Sequence, residues 1–504
     1  MKVGPSEAVR GQATPQGPAP SRRARRVWPW AAAGLRSTLC LRTGQAASAV
    51  VFFVAVGLAA FLLPSSFVVA MLGAGVVALT WLLMPEVVIL ILLLARSSVD
   101  GVMEVFTLFA GSPLSMNLSG AVNSLAVGLG VLALARRLIR RQRRPLLGAA
   151  PGWGFALFLL ACTLSIPGSV DPAGGIKEWA RLASGLAIYL MVLDIVDNER
   201  TARKYVAVML VSSLIPVALA WLQQLTGIGY FFLGFVGTEF AYRPQGTFAH
   251  PAALASYLII LLTMAVGIYF SGATTKMRAV LLAWAGVAAS CLVLTLARAE
   301  WLGMLVAALV VGLLKRRRLA LLALLVAVLL LTTVPLLRER LTAAESIGWR
   351  LDLWRAAKSL AWPPTLLGRG LATAHWHINQ LLPKVDAPPH DDYLKVIIEV
   401  GLAGLVAYGI WLLALVRHAW RAYRRAQEPT IAWRALALLA IVLAGTVISV
   451  ADNYLGYTAV QWYLWALVAL VPPGGRWAPV GGVPRHRRSG LPSAQAQGTP
   501  QAEG

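Results

Sequence analysis

Cysteine is nearly absent from this 504-residue chain: Cys40, Cys162 and Cys291 are the only three, and each lies in or beside an apolar stretch. That excludes a disulfide framework of the kind that holds small secreted domains. Charge is also scarce, at 13% Asp, Glu, Lys and Arg, against 58% hydrophobic residues and a mean hydropathy of +0.70. A soluble domain of this length could not hide so much apolar surface, so the sequence excludes a water-soluble globular protein. No Gly-rich phosphate loop followed by Lys and Ser or Thr occurs, which removes nucleotide-driven chemistry of that type. No repeat of fixed period is evident, and histidine is limited to six residues.

What is abundant is long apolar sequence. Runs of roughly 16 to 22 residues recur from about position 44 to position 472, near the ~20 residues that cross ~30 Å of hydrocarbon as helix. They show no apolar/polar alternation, so a closed β-barrel is excluded, and an open strand would leave its backbone unpaired in lipid. The expected fold is therefore all-α: a polytopic membrane helix bundle of about 12 to 14 transmembrane helices. The expected organisation is a basic cytoplasmic tail over 1–43 and transmembrane helices over 44–337 with an outer loop near 226–250. A large extracytoplasmic loop with short helices follows over 338–394, then C-terminal transmembrane helices over 395–472. Residues 473–504, rich in Gly, Pro and Gln, are expected to be a disordered cytoplasmic tail. The N-terminal stretch lacks an apolar core followed by a small-residue cleavage site, and so reads as a tail and not a removed signal peptide.

The chain has 45 Lys and Arg against 21 Asp and Glu, a net charge of +24. With both termini inside, most of the excess falls on inner segments such as Arg22–Arg26, Arg136–Arg144, Lys315–Arg318 and Arg417–Arg425, and the outer side is close to neutral. The positive-inside rule accounts for this distribution, and a nucleic-acid partner is not needed.

The residues that cost most in a membrane point to function. Arg243 lies in AYRPQGTFAHP just before a span, and Arg298 lies in the very short turn LTLARAEWLG between two apolar runs. Arg350 and Arg181 are placed toward the same side, Arg181 three residues after Glu178. Guanidinium forks stay charged and match phosphate oxygens bidentately, so together they suit a lipid diphosphate. Singly, each is also explained by snorkelling or by pairing with Glu300, Glu239 or Glu178. Four histidines, His250, His375, His377 and His390, fall on the outer side. His390 is best placed for a general base, at the start of a helix that Asp391 or Asp392 would cap. A metal site from His375, His377, His390 and Asp391 fits no compact zinc spacing, and none is expected. Trp349, Trp354, Trp362 and Trp376 crowd the same loop, as interfacial anchors or as sugar-stacking platforms.

Three blocks together resemble the O-antigen ligase and polymerase superfamily: YRPQGTFAHPAALASYL, LTLARAEWLGML, and GWRLDLWRAAKSLAWPPTLLGRGLATAHW followed by PHDDYLKVIIEVGLAGLVAYGIWLL. The likeness covers roughly positions 150 to 470, with Asp391 standing where the family's pattern has Asn after the histidine. The resemblance implies a metal-independent, cofactor-free transferase in the cytoplasmic membrane, its site facing outward. It would move a glycan from an undecaprenyl-diphosphate carrier to a glycan, lipid or protein acceptor. By the same resemblance His390 is the base, Arg243 and Arg298 hold the donor diphosphate, and Arg350 is a further donor contact; Asp391 beside the base would raise its pKa or orient it. Ligase, chain polymerase and protein oligosaccharyltransferase remain open on these residues. A transporter or flippase is the reading from another class, opposed by the unequal loops and the lack of matching broken helices in two halves.

Overall fold

The computed structural model describes residues 65–108, 116–139, 147–228, 233–236, 239–342, 344–383 and 387–477. Both expected tails lie outside these residues, apart from 473–477, as does the apolar run near 44–63. Contacts divide the chain at Leu82 into two units. The first contributes the helix α1 (Ser65–Leu83) to the described residues.

The second unit runs α2 (Pro85–Ser98), α3 (Asp100–Val105), α4 (Leu118–Ile139), α5 (Ala150–Ser165), α6 (Pro172–Ile195), α7 (Glu199–Val211) and α8 (Leu214–Thr226). It continues with α9 (Pro251–Phe270), α10 (Thr275–Leu294), α11 (Arg298–Lys315), α12 (Arg317–Thr333), α13 (Pro335–Thr342), α14 (Ala344–Ala361) and α15 (Ala374–Leu381). The last four are α16 (Asp392–Glu399), α17 (Gly401–Arg425), α18 (Pro429–Ile448) and α19 (Thr458–Ala469). The fold is helical as expected, apart from two small antiparallel hairpins, β1 (Thr107–Leu108) with β2 (Met116–Asn117) and β3 (Leu233–Val236) with β4 (Glu239–Tyr242). Pro at the first helical turn starts α2, α6, α9 and α18, where its missing N–H is no loss.

Each apolar run marked by the sequence between 65 and 472 is helical over most of its length. Among the described residues, seven helical stretches are long and apolar enough to cross a bilayer, from Leu118–Ile139 to Pro429–Ile448. An eighth joins them if α12 and α13, bent by 88° at their junction, form one span. The sequence count of 12 to 14 is larger because it includes the run near 44–63, outside the described residues, and helices that are interrupted by charge or are short. α6 carries Lys177, Glu178, Arg181 and Asp194, α11 carries Arg298, Glu300 and Lys315, and α19 has 12 residues, about 18 Å of helix.

The interior follows membrane packing, in which small residues let helices approach closely. A Cβ on Gly130 of α4 would meet Ala187 of α6 at 2.5 Å, one on Gly185 would meet the Trp465 ring of α19 at 2.6 Å, and one on Gly154 of α5 would meet Trp411 of α17 at 3.0 Å. Around them Phe155, Phe158, Tyr189, Tyr408, Trp411 and Trp465 form a continuous aromatic cluster. α9, α18 and α19 are buried on nearly every face, as helices apolar all round must be. By contrast α10 and α12 turn Val280, Leu282, Leu321, Leu325 and Val328 outward, a surface stable in lipid and not in water.

The segment between α14 and α17 is fixed by backbone geometry that demands glycine. Gly368 (φ +75°) and Gly370 (φ +106°) sit in the left-handed region, with the carbonyl of Glu399 and the Cα of Ser169 where a Cβ would go. The turn they make docks on the α16–α17 junction: Arg369 N–H donates to Ile398 O at 2.8 Å and Gly370 N–H to Glu399 O at 3.0 Å. Leu402 and Ala403 donate to Thr365 and Leu366 at 2.9 and 3.1 Å. The helix that starts just after His390 is thereby held against the bundle.

Candidate functional site

Loops from distant parts of the chain converge at one end of the bundle. The segment preceding α9 is pinned first. Gln223 Oε1 accepts from Gln245 N–H and Gly246 N–H at 3.1 and 2.9 Å, and Gly246 (φ +59°) lies so close to Pro216 O that a Cβ would meet it at 2.5 Å. Thr247 Oγ1 donates to Ser97 O at 2.6 Å. His250 then caps α9, its Nδ1 accepting from Ala252 N–H at 3.2 Å. Burial pushes the His250 imidazole down to about 4, which leaves it neutral.

From this loop Arg243 Nε–H donates to Thr295 O at 2.8 Å. The tight turn after Thr295 contains Leu296 at φ +52°, strained for a residue other than glycine. Leu296 O accepts from Arg340 Nε–H at 3.2 Å, and Arg340 O accepts from Arg298 at 3.3 Å. Arg350, on α14, donates to Ala451 O at 2.9 Å. Arg243, Arg298, Arg340 and Arg350 are all within one another's electrostatic reach. Two unit charges about 10 Å apart repel by roughly 1 to 2 kcal/mol at an effective dielectric of about 20, so such a group favours an anion among its members. Each of the four donates to a main-chain carbonyl, a contact that orients a guanidinium without removing its charge. Burial pulls Arg243 below its ordinary value against the attraction of Glu300 and Asp452, yet a guanidinium stays charged. Arg340 is the member that sequence reasoning missed; in RERL it reads as one more basic loop residue.

His390 stands beside this cluster, with φ +50°, a second strained residue. The residue before it is fixed by Trp354, whose Nε1–H donates to Pro389 O at 3.1 Å, and the Trp349 ring meets the imidazole edge-on at 5.6 Å. His390 Nδ1 lies 3.2 Å from Oδ1 of Asp452. A carboxylate only accepts, so Nδ1 carries the hydrogen and the neutral ring keeps its lone pair on Nε2. Asn453 Nδ2 lies 3.1 Å from the same Nδ1 while its Oδ1 is buried without a partner, so exchanging the two amide atoms would let the oxygen accept from Nδ1. Asp452 Oδ1 also accepts from Asn453 N–H at 2.8 Å and from Tyr457 O–H at 3.0 Å, and Tyr457 stacks on His250. Burial alone would raise the Asp452 carboxyl, but its hydrogen bond and charge contact with His390, helped by Arg350, hold it well below the usual carboxylate range. An ionised carboxylate buried against an imidazole fixes its tautomer and orientation.

The two acids singled out by sequence divide their roles. Asp391 caps α16 through Leu394 N–H at 2.9 Å, as expected of one of the pair. Asp392 is buried, accepting from Ser449 Oγ–H and Leu455 N–H at 2.8 Å each, and burial pushes its carboxyl up to about 7. Arg181 stands apart from the other arginines. Glu178 holds it bidentately at 2.6 and 2.8 Å, the carbonyls of Leu455 and Gly456 accept from it at 2.9 and 3.1 Å, and Lys395 shares Glu178 at 2.9 Å. Its donors are thus committed to holding α6 against the turn before α19. His375 and His377 lie on α15, and among the described residues no group of three or more His, Cys, Asp or Glu is arranged to hold a metal ion.

Arg298 also belongs to a second feature, an apolar cavity of about 700 Å³ between α9, α10, α11, α12 and α13. Leu262, Val293, Trp301, Leu305, Val326 and Leu341 are among its walls.

Residues 281–409 match a protein-family model described as O-antigen ligase. That range holds Arg298, Arg340, Arg350 and His390, whereas Arg243 and Asp452 come from outside it. No curated protein matches the chain.

Proposed function

Since residues 281–409 form a domain of the O-antigen ligase family, we propose that this multi-pass membrane protein transfers a glycan from a polyprenyl-diphosphate carrier to an acceptor hydroxyl. The observation that carries the reading is the double membership of Arg298. It stands in the cationic cluster and in the wall of the apolar cavity, so one ligand meeting both is an amphiphile with an anionic head and a long hydrocarbon tail. A polyprenyl diphosphate has that form.

His390 Nε2 takes the proton of the acceptor hydroxyl as its oxygen bonds to the anomeric carbon. The bond from that carbon to the diphosphate oxygen breaks, and the lipid diphosphate leaves with the electron pair. Arg243, Arg298, Arg340 and Arg350 stabilise the charge growing on it, so no acid or metal ion is required in the step. Asp452 stabilises the imidazolium, which releases its proton to water before the next cycle. A direct displacement inverts the anomeric centre.

The clustered end is assigned to the outside of the cytoplasmic membrane and both termini to the inside. Supporting this, α11 begins at Arg298 and ends at Lys315, about 27 Å along the helix, where the basic group Lys315–Arg318 follows. The test is transfer by purified protein in lipid nanodiscs, read by mass spectrometry. Arg298→Ala and Arg243→Ala should each abolish product while the protein remains monodisperse in the membrane; full activity in both removes the proposal.

A further inference from the structure

The face of α14 that packs inward is a stripe at helical spacing. Leu353 and Ala357 are fully buried and Ala361 is 6% exposed, and all three belong to one apolar cluster with Ala374, Ile378 and Ile398. Trp349 is the next member of that stripe toward the helix start, four residues before Leu353. Its mates are covered, yet the indole is 42% exposed, and its ring abuts His390 at a centroid distance of 5.6 Å and 62°. Trp354 is different: its Nε1–H is tied to Pro389 O. Trp362 is 74% exposed and meets no aromatic ring among the described residues, as an interfacial anchor would. Trp349 therefore combines a flat open ring with direct contact to the base. Arg350, its neighbour in sequence, is turned about 100° around the helix and donates to Ala451, on the side of the arginine cluster. Donor and acceptor walls are thus adjacent residues of one helix.

We propose that Trp349 is the acceptor platform and that the acceptor is a pyranose. A sugar ring presents axial C–H groups that stack on an indole face and leaves its hydroxyls projecting from the rim, where His390 Nε2 can take a proton. A peptide hydroxyl has no such face. This inference rests on the transferase reading above and adds the acceptor class to it.

The experiment uses the full-length protein in nanodiscs with an undecaprenyl-diphosphate-linked oligosaccharide as donor. Short hexose oligosaccharides serve as one acceptor set and a serine-containing peptide as the contrasting acceptor. Trp349→Ala should raise the KM for the saccharide acceptor about tenfold with kcat within twofold and donor KM unchanged. Trp349→Phe, which keeps a smaller ring and guards against a folding defect in the alanine variant, should lie between. If wild type transfers to saccharide and both variants keep acceptor KM, or lose only kcat with a shifted pH profile, Trp349 merely supports His390 and the proposal falls. Transfer to the peptide alone also overturns it. Absence of any transfer by wild type from the lipid-linked donor overturns the underlying reading instead.

Discussion

Asp452 Oδ1 and His390 Nδ1 lie 3.2 Å apart although 62 positions separate them in sequence. The pair joins the loop before α16 to the turn between α18 and α19. It leaves Nε2 of the imidazole without a hydrogen-bond partner among the described residues.

The first prediction follows from that geometry. Asp452→Asn keeps the shape but offers an amide where a carboxylate stood, so the wrong tautomer is favoured and the imidazolium loses its partner. The kcat for transfer should fall by about 10² to 10⁴, with donor KM near wild type, in single-turnover and steady-state assays. Asp391→Asn, which retains an oxygen able to accept from Leu394 N–H, should stay within a few-fold of wild type.

Arg340 provides the second. Arg340→Ala should raise donor KM by roughly tenfold or more, the effect of losing one charge-assisted contact, and Arg340→Lys should recover part of it. Measuring donor KM in both variants separates a place in the anion site from a role in holding the Leu296 turn. A turn defect would be the same in both.

Arg181 behaves differently in the third. Its alanine variant should bind donor as wild type does, because its fork is already filled by Glu178 and two carbonyls. Glu178→Ala should be far more harmful to folding, since it strands Arg181 and Lys395 as buried cations; removing one partner of such a pair typically costs about 3 to 5 kcal/mol. Thermal melting in detergent should show a larger drop for Glu178→Ala than for Arg181→Ala.

Asp392 gives a pH dependence. Its carboxyl is raised by burial to about 7, above the ordinary value of 3.8, so the folded state binds the proton more tightly than the unfolded chain. Its contribution is greatest below the unfolded value and is lost as pH rises through about 7. Melting temperature should fall between pH 5 and pH 8, and Asp392→Asn, whose oxygen can still accept from Ser449 and Leu455, should flatten that slope. A wild-type slope unchanged in the variant would rule Asp392 out as its source.

The sequence made the bundle legible because hydrocarbon imposes a length of apolar chain, and each run between 65 and 472 became helix. Length and low charge alone pick out fewer spans among the described residues than the sequence suggests, because helices such as α6 carry charges inside them, and there Glu178 and Arg181 neutralise each other. Arg243, Arg298, Arg350 and His390 are each conspicuous in the sequence as charge next to a span or a polar residue at a helix start. Their arrangement was not visible. Asp452 sits in the short turn ADNYLGY, and only tertiary contact brings it to His390. Asp391 and Asp392 are neighbours with the same side chain, and only packing makes one a cap and the other a buried acid. The hairpin of β3 and β4 has strands of four residues each, too short for their pattern to stand out from loop in the sequence.

The apolar cavity beside Arg298 has a kinetic consequence. On the proposed function, a lipid-linked donor held there would never leave the hydrocarbon phase, so enzyme and donor would find each other by sliding within a plane. The quantity that sets the encounter rate is then the mole fraction of donor in the leaflet. Diluting vesicles with buffer should leave turnover per enzyme unchanged, while adding bare phospholipid to the same vesicles should slow it in proportion.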